Sequence, residues 1–353
     1  METLILCQMQ FKGDGLAGGL RSYGHEVTVG GANLGGGHLG RRLGRAIRLF
    51  IKEASKPELI ILDGAQYDRE IAMLVHRIKG IPLVLYLGGY LPKEYEEDSS
   101  VSFSRVISWF VMSRLIDNCA HIVYKSQWLK DRYLNTPRLT IIKDKPCSVI
   151  HGSPDPFFYP ASAKSYSKSS KELVLCHAGN FGYQDKAKGV LLLLDAYSQM
   201  LKSFPALRFY ICGDGRHRHI LQERASQLNL NGKVVFTGKI GWEELREHYR
   251  RADVFLYSSF LDGCPTTVLE AQACGTPAIV TTGSGAAELV ADGISGIVCQ
   301  PIVSSLVESI THLIQNPDIR QSMAIKATEH IRNNLSWKNT AAKFNEVIAS
   351  LNH

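Results

Sequence analysis

The sequence of 353 residues lacks several features that would assign it to a specialised class of protein. It contains no apolar run long enough for a membrane-spanning helix. Its first residues have neither the basic segment nor the small-residue cleavage site of a signal peptide. Its eight cysteines are scattered without any C-x-x-C pair, so we expect neither a zinc site nor a disulfide framework. These absences favour a cytoplasmic protein with reduced, packed thiols.

The chain also lacks a large excess of either charge, because its formal net charge is only +7. That surplus mildly favours anionic partners such as nucleotides, phosphates or acidic lipid surfaces. We find no basic patch interleaved with aromatic residues and no nucleic-acid-binding motif, so we predict no nucleic-acid partner. Hydrophobic residues make up 45% of the chain and charged residues 21%, which is the composition of a globular protein. The length favours two domains.

Strand-like and helix-like segments alternate along the chain, which is typical of parallel βαβ units. The predicted strands are TLILCQ, EVTVG, ELIILD, PLVLYL, HIVYK and CSVIH in the first half, and ELVLCHAG, LRFYICG, KVVFTG, ADVFLYS, PAIVT and GIVCQ in the second. Helices are predicted between them, among them AAELVADG, and three more follow the last strand. The serine- and lysine-rich segment PASAKSYSKSSK is the predicted linker. Open α/β domains bind ligands beyond the carboxyl ends of their strands, so the cleft between two such domains is the expected site.

Several motifs follow one another in the second half. They are SVIHGSPDPFFYP, NFGYQDKAKGVLLLLDAY, FYICGDG, VVFTGKIGWEELREHYRRADVFLYSS, DGCPTTVLEAQACGTPAIVT, GSGAAELVADGISGIV and SWKNTAAKFNEVI. In this order they resemble the retaining glycosyltransferases of the GT-B fold, in the GT4-like family of glycosyl transferases group 1. The resemblance extends from about Ser148 to the C-terminus and covers the first half only in outline.

The resemblance implies an α/β protein with two doubly wound, Rossmann-like domains that face a cleft. It implies an acceptor-binding domain over residues 1–160, a nucleotide-sugar-binding domain over residues 161–335, and a last helix over 336–353 that packs back on the first domain. The implied enzyme is a hexosyltransferase that moves a sugar, with retention, from a UDP- or GDP-linked donor to a hydroxyl of a glycan, glycolipid or polyprenyl-linked saccharide. It would need no metal and no other cofactor. The alternatives are a sugar-nucleotide epimerase of the same fold and a degenerate nucleotide-sugar-binding protein without turnover.

Two acids eight positions apart flank a predicted helix start. Pro265 suits a first helical turn, and the free N–H groups that follow it suit a phosphate or a sugar hydroxyl. Asp262 lies in the loop before this helix and Glu270 about one and a half turns inside it, so the two acids could serve different parts of one extended ligand. The resemblance implies that Asp262 contacts the transferred sugar and Glu270 the ribose. The other predicted substrate contacts of this segment are Gly263, Cys264, Pro265, Thr266 and Thr267.

A lysine stands before a glycine at the predicted start of another helix. A cation is unfavourable there unless an anion neutralises it, so we predict the donor diphosphate beside Lys188. The resemblance implies a second cation directly after Gly179, but the sequence has Asn180, which keeps only a neutral donor. Lys186, in a loop that looks longer than usual, could replace the missing charge. The resemblance adds further donor contacts at Gly213, Lys239 and Ile240.

The first half holds weaker signals. The glycines of FKGDGLAGGL, Gly13 and Gly15, suit a loop whose N–H groups approach a phosphate, although G-D-G is also a common turn. The resemblance implies a histidine after the fourth strand, where the sequence has Gly88 and Gly89. Three other histidines are interpreted as structural: His25, His151 and His177.

One apolar segment leaves a membrane role open. SFSRVISWFVMSRLI, residues 102–116, is either a core helix of the first domain or a peripheral membrane helix. A nearby predicted helix adds weight to the membrane alternative with five basic residues, which are Arg41, Arg42, Arg45, Arg48 and Lys52. The predicted location is therefore cytoplasmic, with peripheral attachment at the inner membrane face as an open alternative.

Overall fold

The computed structural model describes residues 1–7, 10–30, 57–63, 76, 80–90, 113–136, 140–160 and 173–351. The chain divides into two compact units, one formed by Met1–Asp155 with Trp337–His353 and the other by Pro156–Ser336. The predicted helix RRLGRAIRLFIKEASK with its basic cluster, most of the predicted helix DREIAMLVHRIKG, and the linker beyond Pro160 lie outside the described residues. Within the described ranges, no helix combines the length and the hydrophobicity needed to cross a membrane.

Each unit contains one six-stranded parallel sheet. The first sheet has the order β2-β1-β3-β4-β5-β6, and its strands are β1 Glu2–Cys7, β2 Glu26–Gly30, β3 Leu59–Asp63, β4 Leu83–Leu87, β5 His121–Tyr124 and β6 Cys147–Val149. The second has the order β12-β11-β10-β7-β8-β9, and its strands are β7 Val174–Ala178, β8 Arg208–Cys212, β9 Val234–Gly238, β10 Val254–Tyr257, β11 Ala278–Thr281 and β12 Gly296–Cys299. All twelve predicted strands are confirmed. Their near-continuous apolar runs suit parallel strands covered on both faces.

The described helices pack on the two faces of these sheets. Those described in full are α1 Gln10–Arg21, α2 Gln127–Leu134, α3 Gln184–Met200, α4 Arg218–Gln227, α5 Trp242–Arg251, α6 Thr266–Ala273, α7 Val303–Gln315, α8 Pro317–Asn334 and α9 Trp337–Ser350. Thr140–Asp144 and Gly285–Leu289 form short 3-10 helices. The α-helix predicted over AAELVADG is therefore wrong, because the chain forms a single 3-10 turn there and is extended again at Val290.

The predicted glycine loop after β1 is also wrong, because Gly13 and Gly15 lie inside α1. A Cβ atom on Gly15 would lie 2.5 Å from the ring of Trp337, and one on Gly19 would lie 2.4 Å from the Cβ atom of Ala341. Gly15 and Gly19 lie four positions apart and so share one face of α1. They let α9 approach closely, and this packing offsets the low helix propensity of glycine.

Further contacts hold α9 within the first unit. Phe344 packs edge-on against Tyr86 of β4, and the side chain of Asn345 lies 2.8 Å from Nε2 of His25. Trp337 donates its indole N–H to the carbonyl oxygen of Pro154 at 2.9 Å. Residues of the last helix therefore complete the core of the first unit.

Only the C-terminal end of the apolar segment 102–116 is described. Residues 113–118 are helical, and Leu115 and Ile116 are fully buried in the core of the first unit. This end therefore matches the core-helix alternative, and residues 102–112 lie outside the described residues.

Candidate functional site

The strand order of the second sheet reverses between β7 and β10, which lie side by side. In open α/β sheets the ligand crevice lies at such a reversal, beyond the carboxyl ends of the strands. The loop of residues 179–183 leaves β7 there, and the loop of residues 258–265 leaves β10. These two loops and the first turns of α3 and α6 form the candidate site.

Asp262 is held from both sides of its carboxylate. The Lys186 ammonium lies 2.6 Å from Oδ1, and the Tyr257 hydroxyl donates a hydrogen bond to Oδ2. Ser259 adds a longer contact to Oδ2 at 3.4 Å. Burial and the neighbouring Asp262 carboxylate raise the pKa of Tyr257 well above its ordinary value, so its phenol stays a donor at neutral pH. The structure thus brings together Asp262 and Lys186, two of the predicted site residues.

Glu270 has a similar partner. It is the fifth residue of α6 and is 7% exposed, and its Oε2 accepts a hydrogen bond of 3.0 Å from the hydroxyl of Tyr249 on α5. Burial, followed by the charge of Glu270, raises the pKa of Tyr249 well above its ordinary value. Sequence reasoning missed both tyrosines. Tyr257 ends an apolar strand and Tyr249 is the buried residue of a charged helix, so each has the pattern of an ordinary core residue. Nothing in their spacing marks a carboxylate as their partner.

In the sequence, the N-terminus of α6 lies between Asp262 and Glu270. The helix begins at Thr266 after Pro265, close to the predicted start, and no side chain of the described residues caps it. Its first N–H groups are therefore available to a ligand, with the positive end of the helix dipole behind them. The hydroxyl oxygen of Thr267 is buried and has no hydrogen-bond partner in the described part of the chain. A buried polar atom of this kind fits a site that a ligand completes.

The structure corrects the reason for expecting an anion beside Lys188. Because α3 begins at Gln184, Lys188 lies in the second turn and not at the helix start. Its ammonium lies 2.9 Å from Oδ1 of Asp185, and its side chain is 53% exposed. Asp185 therefore neutralises the lysine, and the helix dipole alone requires no further anion.

The loop after β7 is shorter than the sequence suggested. The prediction of a long loop is wrong, because the residues from Gln184 onward form the first turn of α3. Asn180 is exposed, and its Oδ1 accepts a hydrogen bond of 2.8 Å from the backbone N–H of Gly182. The amide oxygen thus stabilises the turn, and only the NH₂ group can serve as the neutral donor predicted there.

Two glycines of the site allow close backbone contacts. A Cβ atom on Gly189 would lie 1.9 Å from the carbonyl oxygen of Ser258, so α3 rests directly on the end of β10. Gly213 has a φ of +130°, and a Cβ atom there would lie 1.9 Å from the carbonyl oxygen of Gly179. The glycines after Lys188 and after β8 therefore have packing roles that explain their residue type.

The remaining predicted contacts are distributed over several places. Gly263 is buried and Cys264 partly buried in the loop before α6. Lys239 is exposed and Ile240 packs on the core, and both follow β9, which lies two strands away from β7 in the sheet order. The structure therefore does not place these two beside Asp262.

His177 packs beneath the loop after β7. It is 2% exposed, its Nδ1 lies 2.9 Å from the carbonyl oxygen of Leu256, and its ring stacks on Phe181 and Tyr257. Burial lowers its pKa to about 4, and its hydrogen bond and Asp262 only partly offset that effect. A buried, neutral histidine with stacked neighbours matches the structural interpretation.

Residues 159–330 match the family model described as Glycosyl transferases group 1. The chain contains a glycosyl transferases group 1 domain. A GDP-mannose-dependent alpha-(1-6)-phosphatidylinositol monomannoside mannosyltransferase of Mycolicibacterium smegmatis is 27% identical over 205 residues, which are 56% of this chain and 53% of that protein. A D-inositol 3-phosphate glycosyltransferase of Corynebacterium urealyticum is 32% identical over 181 residues, 49% of this chain and 42% of that protein. The chain thus spans about half the length of the curated relatives it matches.

Solved structures resemble this chain over nearly its whole length. Sucrose-phosphate synthase from Thermosynechococcus elongatus has a TM-score of 0.76 at 17% identity and covers 99% of both chains. Anabaena HepE in complex with UDP-glucose has a TM-score of 0.73 at 18% identity, over 99% of this chain and 100% of the other. Identities this low show the fold alone. They confirm the GT-B fold predicted from the sequence, with two parallel six-stranded sheets.

Proposed function

We propose that the chain is a retaining glycosyltransferase that moves a hexose-type sugar from a nucleoside-diphosphate-sugar to a hydroxyl of a saccharide or lipid-linked acceptor. The proposal depends on one arrangement. Asp262 precedes the first residue of α6 in the sequence and Glu270 follows it, and a buried tyrosine donates a hydrogen bond to each carboxylate. The UDP-glucose in complex with HepE and the GDP-mannose in the name of the mycobacterial relative support the donor class. Cytoplasmic location and peripheral membrane attachment stay predictions.

The donor would extend along the reversal point of the second sheet. The diphosphate would accept hydrogen bonds from the N–H groups at the start of α6 and from the buried hydroxyl of Thr267. Glu270 would accept hydrogen bonds from the ribose hydroxyls, and Asp262 from hydroxyls of the transferred sugar. Lys186 and Lys188 are the nearby cations, and Lys186 would supply the charge that Asn180 does not.

The state of Asp262 supports an orienting role for this residue. Both of its carboxylate oxygens already hold partners, Lys186 on one side and Tyr257 on the other. A carboxylate held in this way is a weakened nucleophile but remains an acceptor, because Oδ1 offers a further lone pair beside Lys186. We therefore assign no covalent intermediate to Asp262.

The proposed reaction needs no metal ion. The acceptor oxygen attacks the anomeric carbon on the face that the diphosphate leaves, and the bond between that carbon and the phosphate oxygen breaks. The acceptor proton passes to an oxygen of the leaving phosphate. Helix N–H groups and lysines stabilise the charge that develops on the diphosphate, which is the role of preorganised donors in other transfer reactions.

A second candidate is a nucleotide-sugar-binding protein without turnover. Asn180 favours it, because this residue brings no charge to the loop after β7 and its amide oxygen is engaged by Gly182. On this alternative the donor would bind but its sugar would not be released. No observed feature of the site favours the epimerase alternative over these two.

Incubation with a panel of UDP-, GDP- and ADP-sugars tests the proposal. We expect one of them to raise the melting temperature and to be slowly hydrolysed, with free sugar and nucleoside diphosphate as products. Glu270→Ala should strongly reduce the nucleotide-dependent rise in melting temperature. Binding without release of sugar, in the presence of any acceptor, would support the alternative. If no sugar nucleotide binds or reacts, the transferase proposal is wrong.

A further inference from the structure

A second charged pair lies at the carboxyl edge of the first sheet. The strand order of that sheet reverses between β1 and β3, which are neighbours. Asp63 is the last residue of β3 and pairs in register with Cys7, the last residue of β1. Asp63 therefore stands at the point where an open α/β sheet has its ligand crevice.

Lys125 reaches this point from two strands away. It follows β5 directly, and its ammonium forms an ion pair with Oδ1 of Asp63, across the end of β4. The side chains of the lysine and the aspartate are only 8% and 9% exposed. The ammonium also lies 4.0 Å from the centroid of the Tyr86 ring, which adds a cation–π contact.

The residue type at the end of β4 leaves room for this lysine. Gly88 follows β4, and a Cβ atom there would lie 3.0 Å from Cδ and 3.4 Å from Nζ of Lys125. A side chain at this position would press on the lysine stem and move the ammonium. The ends of three neighbouring strands thus cooperate in placing a single ion pair.

Stability alone is a poor explanation for the pair. Removing two charges from water costs about as much as their attraction returns, so well-packed apolar residues would often serve the core equally well. The three strands beneath the pair are buried and apolar, apart from Asp63 itself and His121 at the start of β5. A charged pair at the ligand-binding edge of such a sheet is better explained by a polar ligand.

We propose that Asp63 and Lys125 bind two adjacent hydroxyls of the acceptor, with the carboxylate accepting from one hydroxyl and the ammonium donating to its neighbour. The pair suits a vicinal diol, as in a sugar, an inositol or glycerol, because an acceptor atom and a donor group lie side by side. This inference rests on the proposed transferase function. It assigns an acceptor contact to the first unit, which the matched family domain does not cover.

Glycerol is the probe for this site. The donor is UDP-glucose or GDP-mannose, whichever the donor panel shows to be consumed. At high glycerol concentration the transferred sugar divides between water and glycerol, and mass spectrometry gives the ratio of glycosyl-glycerol to free sugar. For Asp63→Asn and Lys125→Met we expect this ratio to fall roughly tenfold, which is the size of one hydrogen bond to a charged group. Gly88→Ala should lower it in the same direction without removing a charge.

Controls separate this proposal from the proposed function. The rise in melting temperature with nucleoside diphosphate should be the same in the wild type and in all three variants. Arg320→Met removes one partner of an ion pair in the second unit, in which Arg320 lies 3.5 Å from Asp253 and the two side chains are 10% and 19% exposed, and it should leave the ratio unchanged. If a single variant does not fold, the neutral double variant Asp63→Asn/Lys125→Gln replaces it.

The outcomes are decisive in each direction. Unchanged ratios in folded variants would overturn the proposal, and so would a wild type that hydrolyses the donor but forms no glycosyl-glycerol. A wild type that neither binds nor consumes any sugar nucleotide would contradict the proposed function itself.

Discussion

The buried hydroxyl of Thr267 allows a prediction in which stability and binding change in opposite directions. Its oxygen is buried without a partner in the described residues, at the second position of α6. Thr267→Val replaces the hydroxyl by a methyl group of similar size. Threonine and valine have similar helix propensities, so the helix itself should be unaffected.

The magnitudes follow from the two roles of that oxygen. Leaving a buried donor or acceptor unsatisfied costs about 1–3 kcal/mol. We take the lower end because the residue as a whole is only partly buried. The variant should therefore be about 1 kcal/mol more stable, with a melting temperature roughly 2–4 °C higher. A lost hydrogen bond to a charged phosphate costs about 1.5–3 kcal/mol, so the Kd for nucleoside diphosphate should rise roughly tenfold to a hundredfold.

Differential scanning calorimetry of the free protein and isothermal titration with UDP and GDP measure the two quantities. Thr340→Val is the matched control, because the Thr340 hydroxyl donates a hydrogen bond of 3.2 Å to the carbonyl oxygen of His151 and lies 2.9 Å from the hydroxyl of Ser153. The control should lose stability and keep its nucleotide affinity. A Thr267→Val protein that is less stable, or that binds nucleotide as the wild type does, would refute the reasoning.

Three further predictions follow from packing, protonation and hydrogen bonding. Gly189→Ala should lower the free energy of unfolding by about 3 kcal/mol, because its Cβ atom would overlap the end of β10. The control Gly18→Ala has open space around it and should raise that free energy, and urea unfolding measures both. In the folded state the pKa of His177 is lowered from 6.5 to about 4, so protons bind the unfolded chain more readily at low pH. The free energy of unfolding should therefore fall by about 3 kcal/mol as the pH falls from 6.5 to 4. His177→Asn should lack that part of the pH dependence; an unchanged profile would exclude the histidine as its cause. Tyr249→Phe removes the donor to the carboxylate on α6 and should weaken nucleotide binding about tenfold, whereas Tyr197→Phe, which loses hydrogen bonds to two carbonyls, should only lose stability in calorimetry.

The strands and the start of α6 could be predicted from the sequence because their signals are local. Apolar runs bounded by polar turns predict buried parallel strands wherever they occur. Pro265 predicts a helix start through its missing N–H group, and α6 begins directly after it. In these places no distant contact was needed to decide the structure.

The errors arose either where a distant part of the chain decides the structure or where a helix start was placed a turn too late. Gly15 suggested a loop, but Trp337 requires the small residue for a contact between α1 and α9. Lys188 suggested a bound anion, but the helix starts one turn earlier and supplies Asp185. The contact between Tyr249 and Glu270 depends on which helices become neighbours, and the pair formed by Asp63 and Lys125 depends on which strand ends become neighbours. One sequence does not reveal either arrangement.

One measurement tests the central claim, that Glu270 holds the ribose of a bound nucleotide. Isothermal titration would compare a nucleoside diphosphate with its 2′,3′-dideoxy analogue, in the wild type and in Glu270→Ala. We predict that loss of the two hydroxyls weakens wild-type binding about tenfold or more and leaves the already weakened binding by Glu270→Ala unchanged. An equal loss in both proteins would show that the ribose hydroxyls do not meet Glu270, and the donor placement would be wrong.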